Sequence, residues 1–122
     1  MSADLRHRLG RIGEDHAAAH LARRGLTIVA RNYRTRFGEI DLIAYGDGVL
    51  IFVEVKTRRS GSGTPWDTLD ERKRRQVRRM ARAWLHDTDD RPRPSTLRFD
   101  AIGVVIDAAG RLVRLDHLEG AF

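Results

Sequence analysis

Residues 38–56 read GEIDLIAYGDGVLIFVEVK, and this stretch predicts a β-hairpin. Two runs rich in strand-forming residues flank Asp47-Gly48, a dipeptide that favours the two-residue type I′ turn. That turn fixes the register of the hairpin, because it pairs Gly46 with Val49 and each earlier residue with a later one. The stretch therefore predicts two antiparallel strands at the centre of the fold.

The predicted register gathers charged side chains at the open end of the hairpin. Asp41 falls opposite Glu54, and Glu39 falls opposite Lys56. Side chains alternate along a strand, so we expect all four on one face, beyond the apolar pairs. Two carboxylates directly opposite each other repel and destabilise a hairpin unless a cation lies between them. The arrangement therefore predicts a metal site.

Lysine is rare in this basic chain. Of its 23 lysine and arginine residues, only Lys56 and Lys73 are lysine. Arginine stays protonated in proteins, whereas a lysine can shift its pKa and exchange a proton with a substrate or a water. A lysine two residues after Glu54 therefore indicates a chemical role. A simple ion pair with Glu39 or Glu54 is the other interpretation of Lys56.

Length and charge limit the class of protein. A chain of 122 residues suits one domain, with residues 1–9 expected to be a flexible tail. The formal net charge of +6 favours an acidic partner, and we expect nucleic acid. The chain has no cysteine, which excludes disulfides and thiolate metal sites. Because we find no signal peptide and no apolar run long enough to span a bilayer, we expect a cytoplasmic protein with no membrane partner.

The remaining sequence predicts two helices and three more strands. We expect helices over residues 10–24 and 68–86, the second opening with a capping box at Thr68-Leu69-Asp70-Glu71, and strands over residues 26–33, 98–106 and 111–116. Apolar residues on both faces of the strand after Val49 indicate a central strand covered on both sides. The expected fold is therefore α/β, with a central mixed sheet flanked by helices and the order α-β-β-β-α-β-β.

Two further carboxylates are candidates for the site. At helical spacing, Glu14 shares a face with Ala18 and Leu21, which points it toward the core, where a carboxylate requires a partner or a metal. The alternative for Glu14 is a favourable place near the positive end of the helix dipole. Asp100 lies at the start of a later strand. It either orients the metal ligands without binding the metal itself or is an ordinary strand-end residue.

Arginines crowd the second helix and the loop before it. The loop from Thr57 to Trp66 is rich in glycine, and its Arg58 and Arg59 leave directly from the predicted site, so these two arginines are expected to contact a phosphate backbone. The alternative for this loop is an ordinary solvated connection. The positive charge on the helix exceeds what i,i+4 ion pairs can neutralise, so we favour contact with phosphates over a merely solvated face. The helix residues expected to make such contacts are Lys73, Arg74, Arg75, Arg78, Arg79 and Arg82.

Together these residues resemble a known family. Asp41, followed after twelve residues by Glu54-Val55-Lys56, is similar to the D…(D/E)-x-K signature of restriction-endonuclease-like nucleases. From about Arg11 onward the chain resembles the bacterial YraN family, small proteins similar to archaeal Holliday junction resolvases. The wider resemblance is carried by Gly13-Glu14, Asn32, Gly38 to Ala44, Phe52 to Arg58, Lys73 and Arg98-Phe99-Asp100.

The resemblance implies a restriction-endonuclease-like fold. On that fold Asp41, Glu54 and Lys56 occupy catalytic positions, and Glu14 matches the helix-borne acid of the resolvases. Two features depart from the pattern. Ile40 stands where the nuclease signature often has proline, and residues 59–66 match only loosely, which leaves substrate recognition open.

The expected function is metal-dependent hydrolysis of phosphodiester bonds, with branched or structured DNA as the expected substrate. Lys56 would orient or deprotonate the attacking water or offset charge in the transition state, and Glu39 would tune Lys56 or be structural. Mg²⁺, or Mn²⁺ in its place, would be held by Asp41, Glu54, the backbone carbonyl of Val55 and Glu14.

Two other functions fit the same residues. One is a nucleic-acid-binding module that performs no catalysis, in which the carboxylates are idle or hold a structural ion. The other is a protein-interaction adaptor built on the same fold. If the substrate is a junction, a two-fold symmetric homodimer would suit its symmetry.

Overall fold

A computed structural model describes residues 2–61 and 70–122 of the chain. The elements are α1 (Ala3–Arg23), β1 (Thr27–Thr35), β2 (Gly38–Gly46), β3 (Val49–Arg59), α2 (Glu71–Asp87), β4 (Thr96–Ile106) and β5 (Leu112–Leu118). This confirms the order α-β-β-β-α-β-β that the sequence predicts.

The five strands form one mixed sheet in the order β1-β2-β3-β4-β5. β3 and β4 run parallel, whereas the other neighbours are antiparallel. A parallel pair needs a long crossover between its strands, and α2 lies in that crossover. The α/β class and the mixed sheet expected from the sequence are therefore confirmed.

Each face of the sheet packs against one helix. Leu50 and Phe52 of β3 pack with Trp84 of α2 in one core, whereas Ile51 and Val53 pack in the core on the α1 side. Successive residues of β3 thus enter opposite cores, as the apolar residues on both faces of this strand predict. Burial of these side chains is the main term that holds the layers together.

The hairpin turn has the predicted geometry. Asp47 and Gly48 have φ angles of 52° and 76°, and a type I′ turn requires positive φ at both of these positions. Gly46 pairs with Val49, and the register continues to Leu42 opposite Val53.

The β2–β3 ladder ends at the pair Leu42–Val53, so the predicted ladder pairs Asp41–Glu54 and Glu39–Lys56 do not form. The Asp41 carboxylate instead accepts a hydrogen bond of 2.8 Å from the backbone N–H of Val55. The alternation of side chains between the two faces of β2 is also interrupted at Asp41. Its two flanking residues pack in opposite cores, Ile40 on the α2 side and Leu42 on the α1 side.

The first helix is longer than predicted. It begins at Ala3, so residues 3–9, which were expected to be a flexible tail, are helical. Ser2 caps this helix by accepting a hydrogen bond of 3.1 Å from the backbone N–H of Leu5. Gly10, which the sequence suggests as the helix start, lies in the helix interior.

The segment between β3 and α2 also differs from the prediction. β3 continues to Arg59, so Arg58 and Arg59 pair with β4 rather than beginning a loop. Ser60 and Gly61 form a turn after β3. The predicted loop from Ser62 to Trp66 lies outside the described residues, as does Thr68 of the predicted capping box. α2 begins at Glu71, with Asp70 as its N-cap.

Candidate active site

Close packing of α1 on β3 positions Glu14. A Cβ atom added at Gly13 would lie 1.8 Å from Thr57 Oγ1, so no side chain fits between helix and strand at this point. Glycine therefore lets the helix approach the sheet closely. The next residue, Glu14, is only 9% exposed and is directed into the site.

Three carboxylates meet where α1 passes the start of β2. Glu14, Glu39 and Asp41 each offer an oxygen atom, and these atoms lie within 4.8 Å of one another. Glu39 also lies 3.6 Å from Arg34, its exposed ion-pair partner on β1. We call these three residues the carboxylate cluster; it is the place in the described structure where a divalent cation would find several oxygen ligands.

Burial and neighbouring charges make this cluster hard to ionise. Burial is the largest cause that raises the pKa of Asp41, followed by the Glu54 carboxylate, and together they bring the pKa to about 8 despite the hydrogen bond from Val55. Burial likewise raises the pKa of Glu14, with partial opposition from the Asn32 side chain. Mg²⁺ prefers hard oxygen ligands, so the donor set fits this cation, whose charge would offset the repulsion.

Glu54 is held by both lysines of the chain. Its Oε1 atom lies 3.0 Å from Lys73 Nζ on α2 and 3.5 Å from Lys56 Nζ two residues along β3. The Glu54 side chain is 10% exposed, so water screens these ion pairs only weakly. We call these three residues the lysine–glutamate triad.

The carboxylate cluster and the triad adjoin at Asp41. Glu54 is the charge with the largest effect on the Asp41 pKa, which requires the two carboxylates to be near each other. The structure thus brings together Asp41, Glu54, Lys56 and Glu14, the four residues expected to be catalytic. It also adds Glu39 to the cluster and Lys73 to the triad.

Asp100 belongs to a different network, on the side of the sheet near β5. It is fully buried and accepts hydrogen bonds from Arg98 (2.9 Å), from His117 Nε2 (2.8 Å) and from the backbone N–H of Gly120 (3.0 Å). Burial acts to raise the pKa of Asp100, but the hydrogen bonds outweigh it and hold the pKa below its usual value. These contacts explain Asp100 as a structural anchor.

His117 extends that network to α1. Its Nδ1 atom lies 3.0 Å from Nε2 of His20, a residue that the sequence did not connect with Asp100. Burial, followed by the neighbouring His117, lowers the pKa of His20. The network therefore ties α1 to β4 and β5.

A cavity of about 280 Å³ opens beside the carboxylate cluster. Basic side chains from the start of α1 line one part of it, and two of the three clustered carboxylates line another. The lining residues are Arg6, His7, Gly10, Arg11, Glu14, Asn32 and Glu39. The sequence analysis did not single out Arg6 and His7 of this cavity, because it expected residues 1–9 to be unstructured, and it gave Arg11 no role.

A larger groove of about 580 Å³ runs beside the first turns of α2. Its lining residues are Phe37, Asp70, Arg72, Lys73, Arg75, Gln76 and Arg79. Lys73 is common to this groove and to the triad, so the groove leads to Glu54. Three of the other six lining residues are arginines, which suits an anionic polymer.

The arginines predicted to bind phosphate differ in how far contacts within the protein already engage their side chains. Arg78 donates a hydrogen bond of 3.0 Å to the carbonyl of Phe122 and lies 4.6 Å over the Phe99 ring. Arg74 lies 4.0 Å from Glu71, and the Arg79 guanidinium lies 5.9 Å from the centre of the Phe37 ring. Arg75 lines the large groove, Arg82 lines another cavity together with Arg34 and Arg36, and Arg58 bonds the carbonyl of Thr57.

In the described part of the chain, neither helix contains an apolar stretch long enough to cross a bilayer.

Comparison with known proteins identifies relatives along nearly the whole chain. A model of the family described as "Uncharacterised protein family UPF0102" matches residues 13–104. A UPF0102 protein of Pelotomaculum thermopropionicum is 40% identical over 121 residues, which cover 98% of this chain and 99% of the relative. UPF0102 proteins of Parafrankia sp. and Nocardia farcinica are 44% and 45% identical, covering 94% and 93% of this chain and 96% and 88% of the relatives.

Proposed function

The chain belongs to the uncharacterised family UPF0102, and we propose that it is a metal-dependent endonuclease acting on branched or structured DNA. The observation that carries the proposal is the carboxylate cluster next to the lysine–glutamate triad. Acidic oxygen ligands and a neighbouring ammonium are the groups that metal-assisted phosphodiester hydrolysis needs. The basic surface around them favours a polyanionic substrate.

Asp41, Glu14 and Glu39 would hold the cation. Glu54 and the carbonyl of Val55 remain predicted ligands. In the structure the Glu54 carboxylate is paired with Lys56 and Lys73. When bound, Mg²⁺ or Mn²⁺ polarises a phosphate oxygen and lowers the pKa of a coordinated water. Asp41 would give up its proton as the cation binds, because its raised pKa leaves it largely protonated at neutral pH.

Lys56 is the group that would act on the reacting atoms. Its ammonium can orient the attacking water or stabilise negative charge that develops on the phosphate. Glu54 would keep this ammonium in place, because the carboxylate lies 3.5 Å from it and is itself anchored by Lys73. Glu54 is thereby a positioning residue as well as a predicted ligand.

The arginine-rich groove along α2 would hold the sugar–phosphate backbone. Arg72, Arg75 and Arg79 line it, and contacts of this kind neutralise phosphates without reading base edges. A site of this type distinguishes substrates by shape rather than by sequence. This favours branched or flapped DNA over a specific recognition sequence.

A nucleic-acid-binding module without catalysis is the second candidate. The lysine–glutamate triad supports it, because Glu54 already has two cationic partners and so needs no metal for charge compensation. Under this alternative the basic groove binds DNA, and the carboxylate cluster takes protons rather than a cation.

A cleavage assay separates the two candidates. Labelled four-way junction, flap and linear DNA would be incubated with Mg²⁺ or Mn²⁺ and with wild type, Asp41→Asn, Lys56→Ala, or Asp89→Asn as an exposed-carboxylate control. The proposal expects metal-dependent cutting by wild type and the control, and none by the other two variants. Intact DNA that all four proteins shift equally on a gel would support the binding module instead.

A further inference from the structure

Gly10 stands inside α1 without a structural reason for glycine. A glycine in a helix interior is less favourable than alanine by about 1 kcal/mol. Its φ angle lies outside the left-handed region, and, apart from the adjoining residues and backbone of the helix itself, no atom of the described residues lies within 4 Å of a Cβ added there. Gly13, one turn later, is different, because Thr57 fills that space. Among residues 2–61 and 70–122 no side chain fills this space, so a ligand can approach the helix backbone closely at Gly10.

Gly10 lies on the face of α1 that leads to the carboxylate cluster. It precedes Glu14 by one helical turn and follows Arg6 by another, and residues four apart lie on the same side of a helix. All three line the cavity of about 280 Å³. Full burial on this face begins at Gly13, whereas Gly10 is only partly buried and lies next to Leu9, which still packs against the core.

Positive charge flanks Gly10 on both sides. Arg6 and Arg11 are exposed and line the cavity with His7. Among the ion pairs formed by residues 2–61 and 70–122, none involves Arg6 or Arg11. Two arginines beside a helix backbone without a Cβ provide positive charge together with room for a close approach. That combination suits a phosphate group.

We infer that the first three turns of α1 form a phosphate track, made of Arg6, Gly10 and Arg11, that carries the nucleic-acid backbone over Gly10 to the carboxylate cluster. This inference rests on the proposed function, because it names how the substrate of that site enters. The ligand is a phosphodiester chain, since a continuous backbone is needed to span Arg6, Gly10 and the cluster. A methyl group at Gly10 would hold that backbone away from the helix.

The test is the substitution Gly10→Ala, measured in two ways. Thermal unfolding should show a midpoint about 3 °C higher, because alanine favours the helix and meets no neighbour. Affinity for labelled flap DNA, measured in EDTA by fluorescence anisotropy, should fall on the order of tenfold, which corresponds to about 1.4 kcal/mol. A more stable protein that binds less well cannot be explained by misfolding.

The arginines are tested by the salt dependence of the same binding. Arg6→Ala and Arg11→Ala should each reduce the slope of log affinity against log salt by about 0.9, the value for one lost phosphate contact on duplex DNA. Arg8→Ala is the matched control, because Arg8 is exposed on the same helix but does not line the cavity. It should leave the slope unchanged.

Two results would overturn the track. One is a Gly10→Ala protein with wild-type affinity, and the other is an equal change of slope in Arg6→Ala, Arg11→Ala and Arg8→Ala. All these measurements are made without divalent metal, so they do not depend on cleavage. Track variants that behave as expected in a protein that never cuts DNA would sustain this inference and contradict the proposed hydrolysis.

Discussion

Lys73 Nζ lies 3.0 Å from Glu54 Oε1, which joins α2 to the middle of β3. Lys56 approaches the same oxygen at 3.5 Å, so the only two lysines of an arginine-rich chain meet at one carboxylate. All three side chains are largely buried. The contact therefore fixes the position of the lysine that we propose to act in hydrolysis.

Replacing Lys73 by methionine should destabilise the protein by about 1.5–3 kcal/mol, the usual contribution of a buried hydrogen bond to a charged group. Urea unfolding measures this change. Arg75→Met, on the exposed side of α2, is the control and should change stability by less than about 0.5 kcal/mol.

A double-mutant cycle assigns the effect to Glu54. If the ion pair is responsible, Lys73→Met should destabilise a Glu54→Gln protein much less than it destabilises wild type. Additive effects of the two substitutions would show that Lys73 stabilises α2 in another way.

In the metal-free protein, the contribution of Asp41 to stability should fall as pH rises from about 4 to about 8. The pKa of Asp41 is raised from 3.8 in the unfolded chain to about 8 in the folded protein, so the folded state binds this proton more tightly. The contribution of Asp41 to the free energy of unfolding is complete below about pH 4 and is lost as pH passes 8. Each unit of pKa shift corresponds to about 1.4 kcal/mol.

Asp41→Asn removes this titration. Melting temperatures of wild type and variant are compared in EDTA from pH 5 to pH 9. The melting temperature of the variant should rise relative to that of wild type as pH increases. Two curves that stay parallel would mean that Asp41 has an ordinary pKa in the folded protein.

Mg²⁺ or Mn²⁺ should raise the melting temperature, because a ligand that binds only the folded state stabilises it. The rise should be greater at pH 8.5 than at pH 6, since protons and the cation compete for Asp41. Scanning calorimetry with and without metal measures it.

Asp41→Asn and Glu39→Gln should each abolish the metal-dependent rise. Glu119→Gln is the control, because Glu119 pairs with Arg24 and Arg98 away from the cluster. A rise that persists in both cluster variants would place the cation elsewhere.

Gly13→Ala should destabilise the protein by about 1–3 kcal/mol, because the new methyl group would overlap Thr57 and force α1 from the sheet. The displacement would also move Glu14 and so weaken metal binding. Thr57→Ala should restore part of the stability, since it removes Oγ1, the atom nearest the new methyl group. Calorimetry of the single and double variants checks this, and a fully stable Gly13→Ala protein would contradict the packing described.

The part of the β2–β3 register that the sequence predicts correctly is the part that the turn itself determines. The Asp47-Gly48 turn determines the pairs from Gly46–Val49 to Leu42–Val53, and all of them form as predicted. Beyond this point the register depends on tertiary contacts. Asn32, in the neighbouring strand, has a φ angle of 53°, and Asp41 bonds Val55 rather than facing Glu54. No local pattern signals that slip.

For the residues of the site, too, local sequence predicted some positions, and tertiary contacts determine the others. Asp41, Glu54, Lys56 and Glu14 stood out as residues whose type and spacing are unusual. The sequence places Glu39 beside Lys56, whereas its position beside Glu14 and Asp41 depends on the slip in β2. The ion pair of Lys73 with Glu54 could not be predicted, because it depends on how α2 docks. The rarity of lysine drew attention to Lys73 but did not indicate its partner.

The most direct test of the proposed hydrolysis compares wild type and Asp41→Asn on one labelled flap DNA, with Mg²⁺ and with EDTA. The account predicts product only for wild type with Mg²⁺, while both proteins bind the DNA. DNA that both proteins bind and neither cuts would contradict it, as would equal cutting by both.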